Sequence, residues 1–423
     1  MRLVITGGRL LDPQLGLDQV GDVLIEDGVI TKVGGQETAG ADRVVEARGQ
    51  VVLPGLVDMH VHLRQPGQSA KETLRSGLLA AVRGGFTAVA AMPNTAPVVD
   101  QPQIAQEVEA AGSGLNLARL HQVGAISRGS SGELLADFSG YAQAGIRAVS
   151  DDGRPVVSSG LMKRALQHGR AHGLLVIAHS EDLGLAQDGV ADDGQDAWRL
   201  GLPTQPASAE AAMVARDLVL AEETGGRLHV AHVSSAKTVQ LIRNAKATGV
   251  PVSAEVTPHH LLLTSADLER LGTLAKMNPP LRQERDRQAL ISALADGTID
   301  AVATDHAPHT AAEKARGWLA APFGVTGMET ALPVLVAGLV EPGLIPLGRL
   351  ISALSAVPAS ILGLPERTLA VGRRANLTLV DLSAEVVFTA DTLATLGKNC
   401  PFLGSRGLGK VHGVVVEGRW VPC

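Results

Sequence analysis

The chain has 423 residues, 45% of them hydrophobic and 19% charged, with a formal net charge of −6. That balance supports a large core, excludes a globally disordered chain and, without a long basic run, argues against a nucleic-acid binder. Aromatic residues are only 2%, so aliphatic side chains and alanine must fill the interior, and stacking platforms for bases are scarce.

The opening residues 1–8 lack the apolar core of a signal peptide. Residues 1–53 read as short alternating apolar segments, 3–6, 22–26, 29–33 and 43–47, cut by glycine turns. Glu26-Asp27-Gly28 between two of them is a hairpin signal. This is half of a small β-domain that cannot close its own core.

From residue 54 the pattern becomes strand then helix, repeated. Eight apolar strand candidates span 56–63, 86–92, 117–126, 146–150, 174–178, 227–233, 250–256 and 299–304. Helical patterns at 71–83, 132–144, 161–172, 207–223, 236–247 and 284–294 separate most of them. Alternation of this kind means a parallel sheet, and eight units in about 250 residues fit a closed (β/α)8 barrel of the α/β class. An open doubly wound sheet would need a glycine-rich fingerprint after an early strand. Gly407-Leu408-Gly409 comes too late and follows no strand–helix unit.

A loop at 311–326, rich in alanine and glycine, could act as a lid, and helices follow to about residue 364. Short strands then return at 376–381, 385–388, 411–417 and 419–421. The expected organisation is a barrel over 54–365, with 1–53 and 366–423 joining into one β-sandwich beside it. No run reaches the ~18 apolar residues that a membrane-spanning helix needs. Cys400 and Cys423 form no Cys-x-x-Cys pair, which supports neither a thiolate metal site nor a disulfide framework. A cytoplasmic protein with no membrane and no nucleic-acid partner is expected.

His60 and His62 stand two residues apart on the first barrel strand, so strand alternation puts both on one face. Two imidazoles so placed can chelate a metal; alone, they are as readily two core histidines satisfied by hydrogen bonds. The other strand ends decide between these. In such barrels the active site lies at the carboxyl ends of the strands. There stand Asn94, then Asp151-Asp152, His179, His232 and Asp305. An all-nitrogen-and-oxygen set suits Zn²⁺ first and Mn²⁺ or Co²⁺ next. Six protein ligands are too many for one catalytic zinc but suit two ions sharing a bridge.

The His60-x-His62 pair with His179, His232 and Asp305 resembles the amidohydrolase superfamily, whose metal barrels carry a β-sandwich built from both chain ends. Within it, His60-Val61-His62-Leu63-Arg64-x-Pro66-Gly67, Met92-Pro93-Asn94-Thr95, Asn278-Pro279-Pro280-Leu281-Arg282 and Asp305-His306-Ala307-Pro308-His309 are similar to the dihydroorotases of the longer, bacterial type. The likeness runs from end to end, with Gln65 where many relatives have Glu. It implies two Zn²⁺ ions, one on His60, His62 and Asp305 and the other on His179 and His232. Asp152 would bridge them. Many superfamily members bridge with a carbamylated lysine, but residues 146–162 contain no lysine. Asp151 is the competing bridge.

The resemblance further implies interconversion of N-carbamoyl-L-aspartate and L-dihydroorotate, with a bridging hydroxide as nucleophile and Asp305 as ligand and base. Arg64, Asn94 and His309 would hold the substrate's carboxylate, and His62 would also touch the substrate. Asn278 and the backbone at Phe323-Gly324 would grip the ring edge. A homo-oligomer is expected, and aspartate transcarbamoylase is a candidate partner. Two alternatives stand beside this reading: an allantoinase or hydantoinase, and an inactive structural partner of aspartate transcarbamoylase. Arg64 with Asn94 argues against the first, because an uncharged ring needs no carboxylate clamp. All six ligands argue against the second. His121, His168, His172, His229 and His412 are expected to be structural; His259 and His260, at the end of the seventh strand, are also read as structural, with a supporting place behind the site as the alternative. His306 should point away from the metals, Asp58 should be a buried partner, and Cys400 inert.

Overall fold

A computed structural model of the chain describes residues 1–35 and 40–423; part of the first β segment, 36–39, lies outside the described residues. The chain opens with β1 (Arg2–Asp12), β2 (Leu17–Glu26), β3 (Val29–Val33), β4 (Arg43–Glu46) and β5 (Val51–Pro54). Asp27 and Gly28 both adopt positive φ, 48° and 83°, the twist a two-residue hairpin between β2 and β3 requires.

The barrel strands follow as β6 (Leu56–Val61), β7 (Phe86–Ala91), β8 (Arg119–Gln122), β9 (Ala148–Ser150) and β10 (Leu175–Ala178). After the two-residue pair β11 (Ala191–Asp192) and β12 (Thr204–Gln205) come β13 (Leu228–Val230), β14 (Val252–Val256) and β15 (Ala301–Val302). They form a three-stranded parallel sheet, β6-β7-β8, and a five-stranded one, β15-β14-β13-β10-β9. Single parallel bridges close the two seams, Gly124 with Val149 and Val61 with His306. Ser150 N–H donates to Gly124 O at 2.8 Å, and His62 N–H to His306 O at 2.8 Å. Asp58 seals the second seam from the side: its buried carboxylate accepts from the Thr304 N–H and hydroxyl and from His60 N–H.

All eight barrel strands form, shorter than their apolar runs. The helical patterns differ more. Helix Pro102–Gly114 fills the β7–β8 connection, where none was predicted; its buried face is Ala105, Val108 and Gly112, small side chains that give little hydrophobic contrast. The pattern at 132–144 shrinks to Phe138–Gln143, started by Asp137, whose side chain accepts from Gly140 N–H. The loop at 311–326 contains two helical turns, Ala311–Lys314 and Gly317–Ala320. Thr310 and Glu313 cap the first of them reciprocally.

The chain ends in β16 (Leu377–Val387), β17 (Arg406–Val416) and β18 (Arg419–Pro422). Both chain ends share one hydrogen-bonded sheet in the order β18-β17-β16-β5-β1-β2-β3, with β4 beside β1. β5 and β16 join the halves antiparallel, Pro54 opposite Leu377. The core beneath mixes the ends, with Leu3, Ile5, Val23, Ile25 and Val52 packed with Leu377, Leu379 and Val415. Inside the barrel, Leu175 and Ile177 share a strand face with His179, and Ala301 and Ala303 share one with Asp305. Those apolar residues pack together with Leu362 and Leu364 beneath the polar end. Among the described residues no helix is long and apolar enough to cross a membrane.

Candidate metal centre and active site

Six buried side chains meet where the barrel strands end: His60, His62, Asp152, His179, His232 and Asp305. His60 lies within β6 and His62 just beyond it; Asp152 follows β9, His179 follows β10, His232 follows β13 and Asp305 follows β15. Arg64, His232 and Asp305 adopt positive φ of 62°, 35° and 48°. Left-handed backbone is costly for such residues and concentrates at functional sites.

Asp152 divides its two oxygens between two histidine pairs. Oδ2 lies 3.4 Å from His60 Nε2 and 3.4 Å from His62 Nε2. Oδ1 lies 3.4 Å from His179 Nδ1 and 3.3 Å from His232 Nε2. Asp305 Oδ1 stands 2.9 Å from His62 Nε2 and 3.5 Å from His60 Nε2. His179 Nδ1 and His232 Nε2 are 2.9 Å apart. Asp151 turns the other way, its carboxylate accepting from the Ser127 N–H and hydroxyl.

The outer nitrogens of the first pair are already committed. His60 Nδ1–H donates to Glu255 Oε1 at 2.6 Å, and His62 Nδ1–H donates to Asn94 Oδ1 at 2.8 Å. Each bond selects the tautomer whose Nε2 lone pair faces the cluster. His60 Nε2 is fully buried yet has no hydrogen-bond partner among the described residues. A cation taking His60, His62 and Asp305 would satisfy that atom, and these three present ligating atoms within 4.8 Å of one another, as do His60, Asp152 and His232. The donor set therefore fits divalent cations.

Perturbed titration marks the same cluster. Burial disfavours charge on every group, but Asp152 and Glu181 outweigh it and push His179 up to about 10. Burial likewise opposes ionisation of Asp152, and His60 with His179 overcomes it, holding the carboxyl well below its usual range. Glu255, buried beside His60 and His229, is driven down to about 2. Such a clustering of perturbed groups marks a functional site.

An open cleft of about 600 Å³ lies over the cluster. His62, Arg64, Asn94, Asn278, His309 and the Phe323-Gly324 backbone line it together with Asp152, His179, His232 and Asp305. Arg64 is buried, which lowers it only to about 10, so its guanidinium stays charged at neutral pH. Its Nε donates to Pro308 O at 3.1 Å, and one terminal nitrogen lies 3.2 Å from His309 Nε2. His309 Nε2–H donates to Phe323 O at 2.8 Å. Asn278 Nδ2 donates to Glu181 Oε1 at 3.1 Å, beside His179.

The chain matches the family described as Dihydro-orotase-like over residues 49–238. It is 50% identical to a dihydroorotase of Anaeromyxobacter dehalogenans (strain 2CP-1 / ATCC BAA-258), covering 99% of this chain and 97% of that one. It is 46% identical to a dihydroorotase of Pelotomaculum thermopropionicum, covering 100% and 98%. The chain belongs to the dihydroorotase family. The fold is also that of the L-hydantoinase (dihydropyrimidinase) of Arthrobacter aurescens, with a TM-score of 0.89 at 27% identity over 99% of this chain and 96% of that one.

Sequence reasoning missed four residues around the dihydroorotase-family centre. Glu255 orients His60 and carries His229 on its other oxygen at 3.2 Å. Glu181 holds Asn278 and stands 3.4 Å from His179 Nε2. Lys314 and Asn399 bind the loop backbone that lines the cleft. A lone acidic residue inside the apolar strand Val252–Val256 is the one signal that could have pointed to Glu255. His260 is engaged by Thr257 and by Pro279 O. His306 turns away from the cluster, with Nδ1 accepting from Gly327 N–H and Nε2 facing Glu72.

Proposed function

We propose that the chain is a cyclic-amide hydrolase that interconverts N-carbamoyl-L-aspartate and L-dihydroorotate, with loss or gain of water, in pyrimidine synthesis. It would use two Zn²⁺ ions, one with His60, His62 and Asp305 and one with His179 and His232, bridged by Asp152. The observation that carries this reading is the pairing, in one cleft, of the divided Asp152 carboxylate with the buried Arg64 guanidinium. The first is a place for two cations, and the second is a place for a carboxylate beside them.

When bound, the ions would bring the pKa of a water toward neutrality and polarise the scissile carbonyl. The chain's own groups supply the rest. Asp305, ionised and central, takes the proton from the attacking water and delivers it to the ring nitrogen as the C–N bond breaks. Ring closure runs the same proton transfers backwards. Arg64 presents a planar fork of donors to the substrate carboxylate. The Asn94 amide, its oxygen held by His62, turns its nitrogen to the same end. His309 offers a donor that a carboxylate would compete for with Phe323 O. Asn278, fixed by Glu181, meets the ring edge.

A hydantoinase-like substrate without a carboxylate would leave the buried Arg64 charge unpaired in the filled cleft, a costly arrangement. The test is direct. Zinc-loaded protein is incubated with N-carbamoyl-L-aspartate and, separately, with L-dihydroorotate, and both compounds are quantified over time. Interconversion in both directions is expected; a protein holding two zincs that catalyses neither direction would reject the assignment.

A further inference from the structure

Behind the strap at 322–324 lies a buried charge that the proposed reaction does not use. Lys314 is 4% exposed. Its Nζ donates to three backbone carbonyls, Lys276 at 3.2 Å, Pro322 at 3.1 Å and Gly324 at 2.9 Å. Among the described residues no carboxylate pairs with it: neighbouring Glu313 is committed to Lys71 at 3.0 Å and to Thr310 N–H. An ammonium buried without a carboxylate is costly, and an apolar side chain would fill the same space without that cost.

The strap it holds is the wall of the cleft. Gly324 N–H donates to Lys276 O, and Gly324 O also accepts from Asn399 Nδ2. Asn399 accepts from His309 N–H and donates to Ala307 O as well, so one buried amide ties the strap to the loop after β15. Gly324 has a φ of +119°, and a Cβ there would come within 2.7 Å of Ala307 Cβ and 3.3 Å of His309 Nε2. The strap is pressed against the ring of His309, whose Nε2–H it accepts through Phe323 O. The charge of Lys314 also reaches that ring. After burial, Arg64, Lys71 and Lys314 are what drive His309 down to about 3.

We propose that Lys314 is a positioning residue for the carboxylate end of the substrate: its ammonium fixes the 322–324 strap against His309 and Arg64 and adds positive potential there. This rests on the dihydroorotase reading. The groups facing this region are Lys276, whose Nζ donates to Trp318 O and Leu319 O, together with Glu313, Lys71, His309 and Arg64. Burial, then Lys276, pushes Lys314 down to about 7. Its charge is present below that pH and is lost above it, leaving two N–H donors for three carbonyls. Carboxylate binding should therefore weaken as pH rises through neutrality.

The experiment is steady-state kinetics of zinc-loaded wild type, Lys314→Met and Lys314→Arg on L-dihydroorotate from about pH 6 to about pH 9, a range spanning the Lys314 titration. In wild type, KM should rise across neutrality. In Lys314→Met it should be about tenfold higher at pH 6, the scale of one charge-assisted hydrogen bond to the substrate carboxylate that the strap no longer holds in place, and flat with pH, with kcat and zinc content retained. Lys314→Arg keeps the charge at every pH and should restore a low, flat KM. A Lys314→Met enzyme that keeps the wild-type KM profile overturns the proposal. A wild type that does not turn over dihydroorotate removes the activity itself, and this proposal with it.

Discussion

Glu255 Oε1 accepts a 2.6 Å hydrogen bond from His60 Nδ1 and leaves Nε2 of the same ring buried, without a hydrogen-bond partner among the described residues, and facing Asp152 and Asp305. The two residues are 195 positions apart in the chain; only barrel closure brings them together. A carboxylate behind a ligating imidazole fixes its tautomer and raises its basicity, and losing such a partner typically weakens metal binding by about 10–100-fold. Glu255→Gln keeps the shape but removes the charge. Competition with a chelator should show zinc affinity reduced by that order, with kcat largely recovered in excess zinc. Unchanged affinity would make Glu255 a packing residue.

Asp152 and Asp151 are adjacent, yet one spans the two histidine pairs and the other is bonded to Ser127. Asp152→Ala should lose one or both zincs, measured by elemental analysis, and nearly all activity. Asp151→Asn should keep both, and activity should need no bicarbonate because no lysine carbamate is involved. If Asp151→Asn empties the site while Asp152→Ala does not, the assignment is reversed.

Most of this centre was legible because two simple periodicities met. Strand alternation puts His60 and His62 on one face, and the barrel rule sends every strand's last polar residue to the same end. Neither rule reaches residues whose role depends on a distant partner. Glu255 is one acidic residue in an apolar strand until His60 closes on it, and Asn399 lies 90 residues from the His309 amide that it accepts from. Helix Pro102–Gly114 escaped for a local reason: it buries alanine, valine and glycine, so its apolar stripe is faint. The short turns at 311–320 rest on a capping box and on Lys314, features of chain packing that periodicity does not carry.

Asp305 is buried, and His62 with His60 outweighs that burial to keep its carboxyl ionised. Asp305→Asn retains an oxygen but cannot take a proton. Removing general acid–base help costs about 10²–10⁴-fold. In samples shown to hold both zincs, kcat should fall by at least that range while substrate binding persists. Turnover like wild type would remove Asp305 from the proton path.

On the proposed function, a carboxylate-binding end built on Arg64 would separate this cleft from the hydantoinase-like sites that share its fold. Arg64→Met should raise KM for L-dihydroorotate at least about tenfold, the scale of one charge-assisted hydrogen bond, with both zincs still bound. The most direct measurement needs no variant: kcat/KM of one zinc-loaded preparation for L-dihydroorotate and for dihydrouracil, the same ring without the carboxylate. Dihydroorotate should be hydrolysed and dihydrouracil turned over only negligibly; comparable rates on the two would rule out a specificity-setting carboxylate clamp and favour a hydantoinase-like enzyme.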